Sequence, residues 1–180
     1  MRDDHFTPFA LILMHLLFYA GFWVAAYMFR TPAPLPSAVL GSLLVWISLV
    51  DTQRFEIPDS ASVLLAASGL WFAWSDGVFM ADHIGAALVW SLVFWGTGEG
   101  YARLRGFDGL GFGDVKLMVG IGLWLGFVQT TLVVFAAACA GILVLLTRSM
   151  LERAPPRTLA TTAVAFGPFL CLSTWVIWLL

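Results

Sequence analysis

Long runs of apolar residues dominate the chain and predict helices rather than strands. Seven runs can be distinguished, at residues 8–29, 37–50, 60–75, 83–98, 114–127, 130–147 and 160–180. A helix needs about 20 residues to cross the hydrocarbon core of a bilayer, and several of these runs are shorter. The short runs 37–50 and 114–127 must therefore extend into flanking residues, or one of them must be re-entrant. The pattern predicts an all-α, polytopic integral membrane bundle of six or seven transmembrane helices.

The composition favours a membrane protein and argues against two other classes. Hydrophobic residues make up 61% of the chain and charged residues only 11%, whereas about a quarter of the residues in an average soluble domain are charged. No stretch collects enough Lys or Arg to follow a phosphate backbone, so no nucleic-acid partner is predicted. Cys139 and Cys171 lie in apolar runs without metal-ligand spacing. Neither a disulfide framework nor a metal site is therefore predicted.

The chain is expected to form one membrane-embedded domain, residues 1–180. The first apolar run is preceded by Arg2, Asp3 and Asp4, which lack the positive excess of an export signal, so this run is predicted to be a retained anchor. Prolines in the segment 31–36 predict a stiff turn after it. Residues 1–36 are thus assigned to an additional anchor helix and turn, and residues 37–180 to the core.

The basic residues predict the orientation, because Lys and Arg accumulate in the cytoplasmic loops of membrane proteins. With seven spans and the N-terminus on the cytoplasmic side, Arg30 is the only basic residue predicted to lie in the segments on the opposite side. The inside segments hold Arg2, Arg54, Arg103, Arg105, Arg148, Arg153 and Arg157, with Lys116 just within the start of its helix. The loops after Val50 and before Val115 then lie on the cytoplasmic side.

Two aspartates lie where apolar helices meet this predicted boundary. Asp51 ends the second run and Asp114 opens the fifth, so they reach one membrane depth from opposite chain directions. Carboxylates at the edge of hydrocarbon are costly and indicate a functional site by default. A charge that merely ends a helix is the alternative explanation of Asp51. If both residues lie at the same depth, they can form a catalytic pair.

Glycines alternate with larger residues immediately before the second aspartate, at Gly109, Gly111 and Gly113. Glycine permits positive φ angles and lets another chain approach closely. Gly111 and Gly113 are therefore predicted to admit an extended substrate backbone next to Asp114. A phosphate-binding loop is the competing interpretation, but the GxxxxGK[ST] pattern is absent and the carboxylate would repel an anion.

Three segments together resemble one known family. Residues 51–59 read Asp-x5-Ile-Pro-Asp, residues 109–117 read Gly-Leu-Gly-Phe-Gly-Asp-Val-Lys-Leu, and residues 166–170 read Phe-Gly-Pro-Phe-Leu. In this order and spacing they are similar to the prepilin peptidases, or type IV leader peptidases, which are bacterial membrane aspartic proteases of the GxGD type. The resemblance extends from about Ser37 to the end of the chain.

The resemblance implies cleavage of the basic leader of type IV prepilins or pilin-like secretion pseudopilins, at the cytoplasmic face of the bacterial inner membrane. Asp51 and Asp114 would be the catalytic aspartates. Two carboxylates a few ångströms apart cannot both ionise easily, so the pair would share a proton. One would act as general base on water while the other hydrogen-bonds the scissile carbonyl. Neither a cofactor nor a metal is required, and the partners would be the substrate and membrane lipid.

Larger members of the family carry a cytoplasmic insertion with paired cysteines after the first span and methylate the new N-terminus. Here the chain passes from Arg30 to Leu35 without such an insertion or its cysteines. The sequence therefore gives no support for N-methyltransferase activity or for the use of S-adenosylmethionine.

Other charged residues share the predicted face of the pair. Four acids of the same charge would attract a positively charged leader, namely Glu56, Asp59, Glu99 and Asp108. The alternative for each of them is an ordinary solvated charge in a loop. Asp59 also suits the start of a helix. Lys116 would either offset the neighbouring aspartate or mark the inside boundary.

Two other functions stay open. One is another GxGD-type intramembrane protease, such as the presenilin or signal-peptide-peptidase type, although the Pro-Ala-Leu segment of that type is absent. The other is a small proton-coupled transporter, which also uses buried acids and broken helices but places them near the bilayer midplane. Here the acids are predicted to lie at one face.

Overall fold

The computed structural model describes residues 8–28, 34–105, 111–152 and 165–180, and every regular element within these ranges is a helix. The all-α prediction is confirmed for this part of the chain. The helices are α1 (Pro8–Met28), α2 (Pro34–Arg54), α3 (Asp59–Ser75), α4 (Met80–Arg105), α5 (Phe112–Glu152) and α6 (Gly167–Leu179).

Two of the described helices are long and apolar enough to cross a membrane. They are α2 and the Phe112–Thr147 part of α5, with mean hydropathies of 1.6 and 2.3. Large apolar side chains also cover the outside of the bundle, for example Leu17, Trp71 and Phe135, which are 63%, 74% and 70% exposed. An apolar surface of this extent is unfavourable in water and suits a lipid environment.

Helix α5 contains the predicted runs 114–127 and 130–147, with a break at Gly126. This residue has φ 75° and ψ −176°, a region that is essentially restricted to glycine. A Cβ atom at this position would collide with Oδ2 of Asp82 at the start of α4. The same carboxylate accepts a hydrogen bond of 2.9 Å from the Phe127 N–H. It thereby satisfies a backbone donor that the break leaves without a partner inside the helix.

The two halves of α5 run in opposite directions. In the first half, a Cβ at Gly120 would lie 2.6 Å from Cδ2 of Leu65, so this half packs closely along α3 before it reaches Gly126. In the second half, a Cβ at Gly141 would lie 3.8 Å from the ring of Phe166, just before α6. Since Phe166 lies at the end of the bundle opposite Gly126, the chain turns back at the break.

Tryptophan side chains tie the helices together in the interior. Trp124 of α5 donates a hydrogen bond of 3.0 Å to the Leu65 carbonyl of α3, and its ring stacks on Phe72 at 5.1 Å. Trp175 of α6 donates to the Tyr19 carbonyl of α1 at 3.2 Å. The indole N–H groups of Trp124 and Trp175 thus have partners despite their burial, and α1 is attached to α6 by a polar as well as an apolar contact.

Candidate active site

The ends of four helices enclose a cavity of about 870 Å³. Helix α2 ends at this cavity, and α3, α5 and α6 begin at it. Seven of the residues that the sequence analysis placed at the site lie on its wall, namely Asp51, Glu56, Asp59, Gly111, Gly113, Asp114 and Lys116. Because α2 and α5 run in opposite directions relative to this end, residues 63 positions apart in sequence face the same space.

The two central carboxylates are almost fully enclosed. Asp51 is 5% exposed and Asp114 is 7% exposed. The two carboxyl groups lie close enough to interact electrostatically. Within the described ranges, no Cα atom of α2 lies within 8 Å of a Cα atom of α5, whereas α3 and α6 each pack against both helices. The structure therefore brings the two aspartates to one cavity across a gap between their helices.

The glycine-rich segment explains the position of Asp114. Gly111 directly precedes α5, and its carbonyl accepts a hydrogen bond of 3.1 Å from the Asp114 N–H. In return, the Gly111 N–H bonds to the Asp114 carboxyl. The acid in the first turn thus satisfies the backbone donor just before the helix, which is one half of a capping box, since glycine has no side chain to form the other half. The three-residue spacing between Gly111 and Asp114 thus places the carboxyl at the N-terminus of α5.

The Phe-Gly-Pro segment explains the position of Asp51. A Cβ atom at Gly167 would lie only 2.6 Å from Oδ2 and 3.1 Å from Cγ of Asp51, so only glycine leaves room for this carboxyl. The Gly167 N–H at the start of α6 lies close enough to stabilise its negative charge, and the positive end of a helix favours an acid there. Among the described residues, Asp51 Oδ2 has no hydrogen-bond partner. A buried oxygen without a donor is unfavourable, so this atom favours a hydrogen bond from a water molecule or a substrate.

The two predicted substrate-binding glycines differ in their surroundings. A Cβ at Gly113 would lie 3.0 Å from Cβ of Ile57, so this glycine allows close packing between two chain segments. Gly111 is exposed to the cavity. Neither residue has a positive φ angle. The freedom of glycine to adopt positive φ is therefore not used at these two positions, and Gly111 is the one of the two that is exposed at the cavity.

Two of the charged residues at the cavity rim pair with each other. Lys116 donates a hydrogen bond to Asp59 Oδ1 rather than to Asp114, and Asp59 is the first residue of α3, as its position after a proline predicts. Both side chains are partly exposed, and such surface pairs stabilise a fold by at most about 1 kcal/mol. Glu56 is exposed on the same wall.

Two further acids were predicted on this face. Glu99 forms a 2.8 Å ion pair with Arg103 one turn along α4 and lines a smaller neighbouring cavity. Asp108 lies outside the described residues, as does Gly109 of the glycine-rich segment. Sequence reasoning assigned no role to Gly167, although the Phe-Gly-Pro motif contained the signal.

The fold and the cavity define a class: an all-helical membrane protein with two enclosed carboxylates at the ends of apolar helices. A family model described as the type IV leader peptidase family matches residues 38–146. This match covers more than half of the chain and includes both aspartates. The chain belongs to the type IV leader peptidase family.

Several curated proteins are similar to the chain, and each is named a prepilin leader peptidase/N-methyltransferase. The protein of Escherichia coli (strain K12) is 29% identical over 85% of this chain and 69% of its own length. That of Burkholderia pseudomallei (strain K96243) is 32% identical over 77% of this chain and 44% of its own length. That of Aeromonas hydrophila is 29% identical over 79% of this chain.

The match covers 48% of the Aeromonas hydrophila protein, so the chain spans about half the length of that relative. No solved structure matches the chain.

Proposed function

We propose that the chain is a membrane aspartic endopeptidase that removes the basic leader from type IV prepilins or pilin-like secretion pseudopilins. The observation that carries this proposal is the pair of enclosed carboxylates, Asp51 and Asp114, on the wall of one cavity. Membership of the leader peptidase family and the names of the relatives support the substrate class.

The arrangement supports acid–base hydrolysis without a covalent intermediate. Two neighbouring carboxyl groups shielded from water favour a state in which one proton is shared between them. The ionised aspartate withdraws a proton from a water molecule held in the cavity, and this water attacks the scissile carbonyl. The protonated aspartate donates a hydrogen bond to the carbonyl oxygen, where negative charge develops. The proton then passes to the leaving amine, which restores the pair.

The walls of the cavity suggest how the substrate lies. Gly111 faces the open space and leaves room for an extended backbone beside Asp114. Because Lys116 and Asp59 offset each other's charge, Glu56 is the rim acid that remains to attract a basic leader. The apolar segment that follows the leader would then lie against the lipid-facing helices, with the cleaved bond at the aspartates.

The placement of charge supports an active site at the cytoplasmic face of the bacterial inner membrane. Arg54 and Lys116 lie at the cavity, whereas Asp76 and Asp82 lie near the other end, where the described residues include no Lys or Arg. We take α5 as two spans because it turns back at Gly126, which gives seven spans in total. Residues 1–36 would be the additional anchor and residues 37–180 the catalytic core.

The depth of the acids distinguishes this proposal from a proton-coupled transporter. A transporter binds its ions near the bilayer midplane, between broken helices. Here Asp51 lies in the last turn of α2 and Asp114 in the first turn of α5, so both carboxyls lie at helix ends.

The proposal is tested by incubating the purified chain, reconstituted in lipid vesicles, with a prepilin of its own organism. Mass spectrometry is expected to detect loss of the leader at a single bond, with an unmethylated new N-terminus even when S-adenosylmethionine is added. An Asp76→Asn variant, which removes an exposed acid far from the cavity, is the control and should cleave at the wild-type rate. Failure of the wild-type chain to cleave any prepilin or pseudopilin of that organism would overturn the proposal.

A further inference from the structure

Phe55 has an unfavourable backbone conformation at the cavity. It directly follows α2, has φ 54°, and its N–H donates a hydrogen bond of 2.9 Å to the Asp51 carbonyl. This is the left-handed position that ends many helices, and glycine or asparagine usually occupies it. A bulky side chain there is strained. Within the described ranges, the other residues with positive φ are Gly77 and Gly126.

Packing does not compensate for this strain. The Phe55 side chain is 60% exposed and lies on the wall of the cavity that contains the aspartates. Strained residues of this kind persist where the side chain is needed for function, and they concentrate at active sites and ligand clamps. The ring at this position therefore requires an explanation other than stability.

A second exposed phenyl ring accompanies the other aspartate. Phe112 is the first residue of α5, two positions before Asp114, and is 63% exposed on the same cavity wall. Lys116 Nζ lies 5.1 Å from the centre of its ring and is held in turn by Asp59. The cation–π contact fixes the ring without covering its open side. Each aspartate thus has an exposed aromatic ring close to it in sequence.

We propose that Phe55 and Phe112 form an aromatic binding site for apolar substrate side chains next to the cleaved bond. The inference rests on the proposed function and adds the chemical class that the site selects. An extended chain passing between the aspartates places the side chains beside its cleaved bond against the cavity walls. Burial of an apolar group on an exposed ring gives binding energy, and exposed aromatic residues frequently dominate binding.

The first test is a Phe55→Gly variant, assayed on a prepilin with the kinetic constants measured separately. Glycine adopts φ 54° without strain, so the melting temperature should stay the same or rise. Loss of one ring contact should raise KM roughly tenfold, with kcat within about threefold of wild type. Phe55→Tyr keeps the ring and should restore a KM near that of the wild-type chain.

The second test pairs this variant with a changed substrate. A prepilin in which the apolar side chains flanking the cleaved bond are replaced by serine should bind poorly to the wild-type chain. The Phe55→Gly change should then cause little further loss, because the two changes remove the same contact. Additive losses would show that the ring and these side chains do not meet, and the inference would fail.

The matched control is Phe79→Gly, in the short connection before α4, since Phe79 is 77% exposed but lies far from the cavity. It should leave KM unchanged. If wild-type cleavage is normal while Phe55→Gly lowers the melting temperature and leaves KM unaltered, the ring is an anchor at the membrane interface and the inference is wrong. Absence of cleavage by the wild-type chain would instead contradict the proposed function.

Discussion

Replacement of either Asp51 or Asp114 by asparagine should lower kcat for leader cleavage by at least about 10³-fold, because general acid–base catalysis alone accelerates a reaction by about 10²- to 10⁴-fold. Asparagine has nearly the shape of aspartate but cannot accept the proton of the attacking water or share one with its neighbour. The helices should form as before, because neither change introduces a bulky group. The measurement is the initial rate of leader release from a prepilin in vesicles.

The double variant gives an internal check on this result. If the two carboxylates act as a unit, losing both should cost little more than losing either one. The melting temperature and the chromatographic profile of each variant should match those of the wild-type chain. Cleavage at the wild-type rate by either single variant would remove that residue from the mechanism.

Replacement of Gly167 by alanine should lower kcat by roughly 10²-fold with little change in KM, because a displacement of about 1 Å in a catalytic group can cost this much. The added Cβ would lie 2.6 Å from Asp51 Oδ2 and 3.1 Å from Cγ. The carboxyl must therefore move away from its position beneath α6. The measurement is a full kinetic analysis on the same prepilin.

A matched control for this prediction is Gly141→Ala in α5. An added Cβ at Gly141 would have the Phe166 ring as its nearest neighbour, at 3.8 Å, which is an ordinary van der Waals contact. This variant should retain near-wild-type kcat. Full activity of the Gly167→Ala variant would contradict the role assigned to the first residue of α6.

The helices and the positions of the two aspartates follow from the sequence by simple physical rules. Apolar runs in a chain of this composition form helices, and Asp51 and Asp114 each interrupt such a run at one edge. Opposite chain directions then suffice to bring the two residues to one end of the bundle. The start of α3 at Asp59 was also predictable, because a proline precedes it.

The apolar runs 114–127 and 130–147 predict two separate spans, but how α5 turns between them could not be derived in this way. The runs on either side of Gly126 are both apolar, and a hydropathy pattern carries no information about backbone angles. The turn depends on the φ of one glycine and on a contact with Asp82, which lies 44 positions earlier. Such a tertiary contact leaves no periodic signal in the sequence.

The details of the cavity show the same limit. The sequence left open whether Lys116 offsets Asp114, and in the structure it bonds to Asp59 on a different helix. Glycines before Asp114 suggested positive φ angles, yet they serve a helix cap and a close packing contact. The strain at Phe55 depends on how α2 ends. The sequence does not indicate this ending, because phenylalanine prefers extended or helical backbone.

Chemical crosslinking tests most directly whether the two aspartate positions meet at one cavity. Asp51→Cys and Asp114→Cys would be combined in a chain with Cys139→Ala and Cys171→Ala, and with a protease site inserted between residues 105 and 111. Since no Cα atom of α2 lies within 8 Å of one in α5, the positions are too far apart for a disulfide, which requires Cα atoms about 4.4–6.8 Å apart. A short bifunctional thiol reagent is therefore used.

After proteolysis, the reagent should keep the two fragments together on a denaturing gel. A second pair, Asp82→Cys with Asp114→Cys, joins opposite ends of the bundle and should give separate fragments. If the pair at positions 51 and 114 also separates fully while the reagent labels both thiols, the two carboxylates do not share a cavity and the proposed mechanism is contradicted.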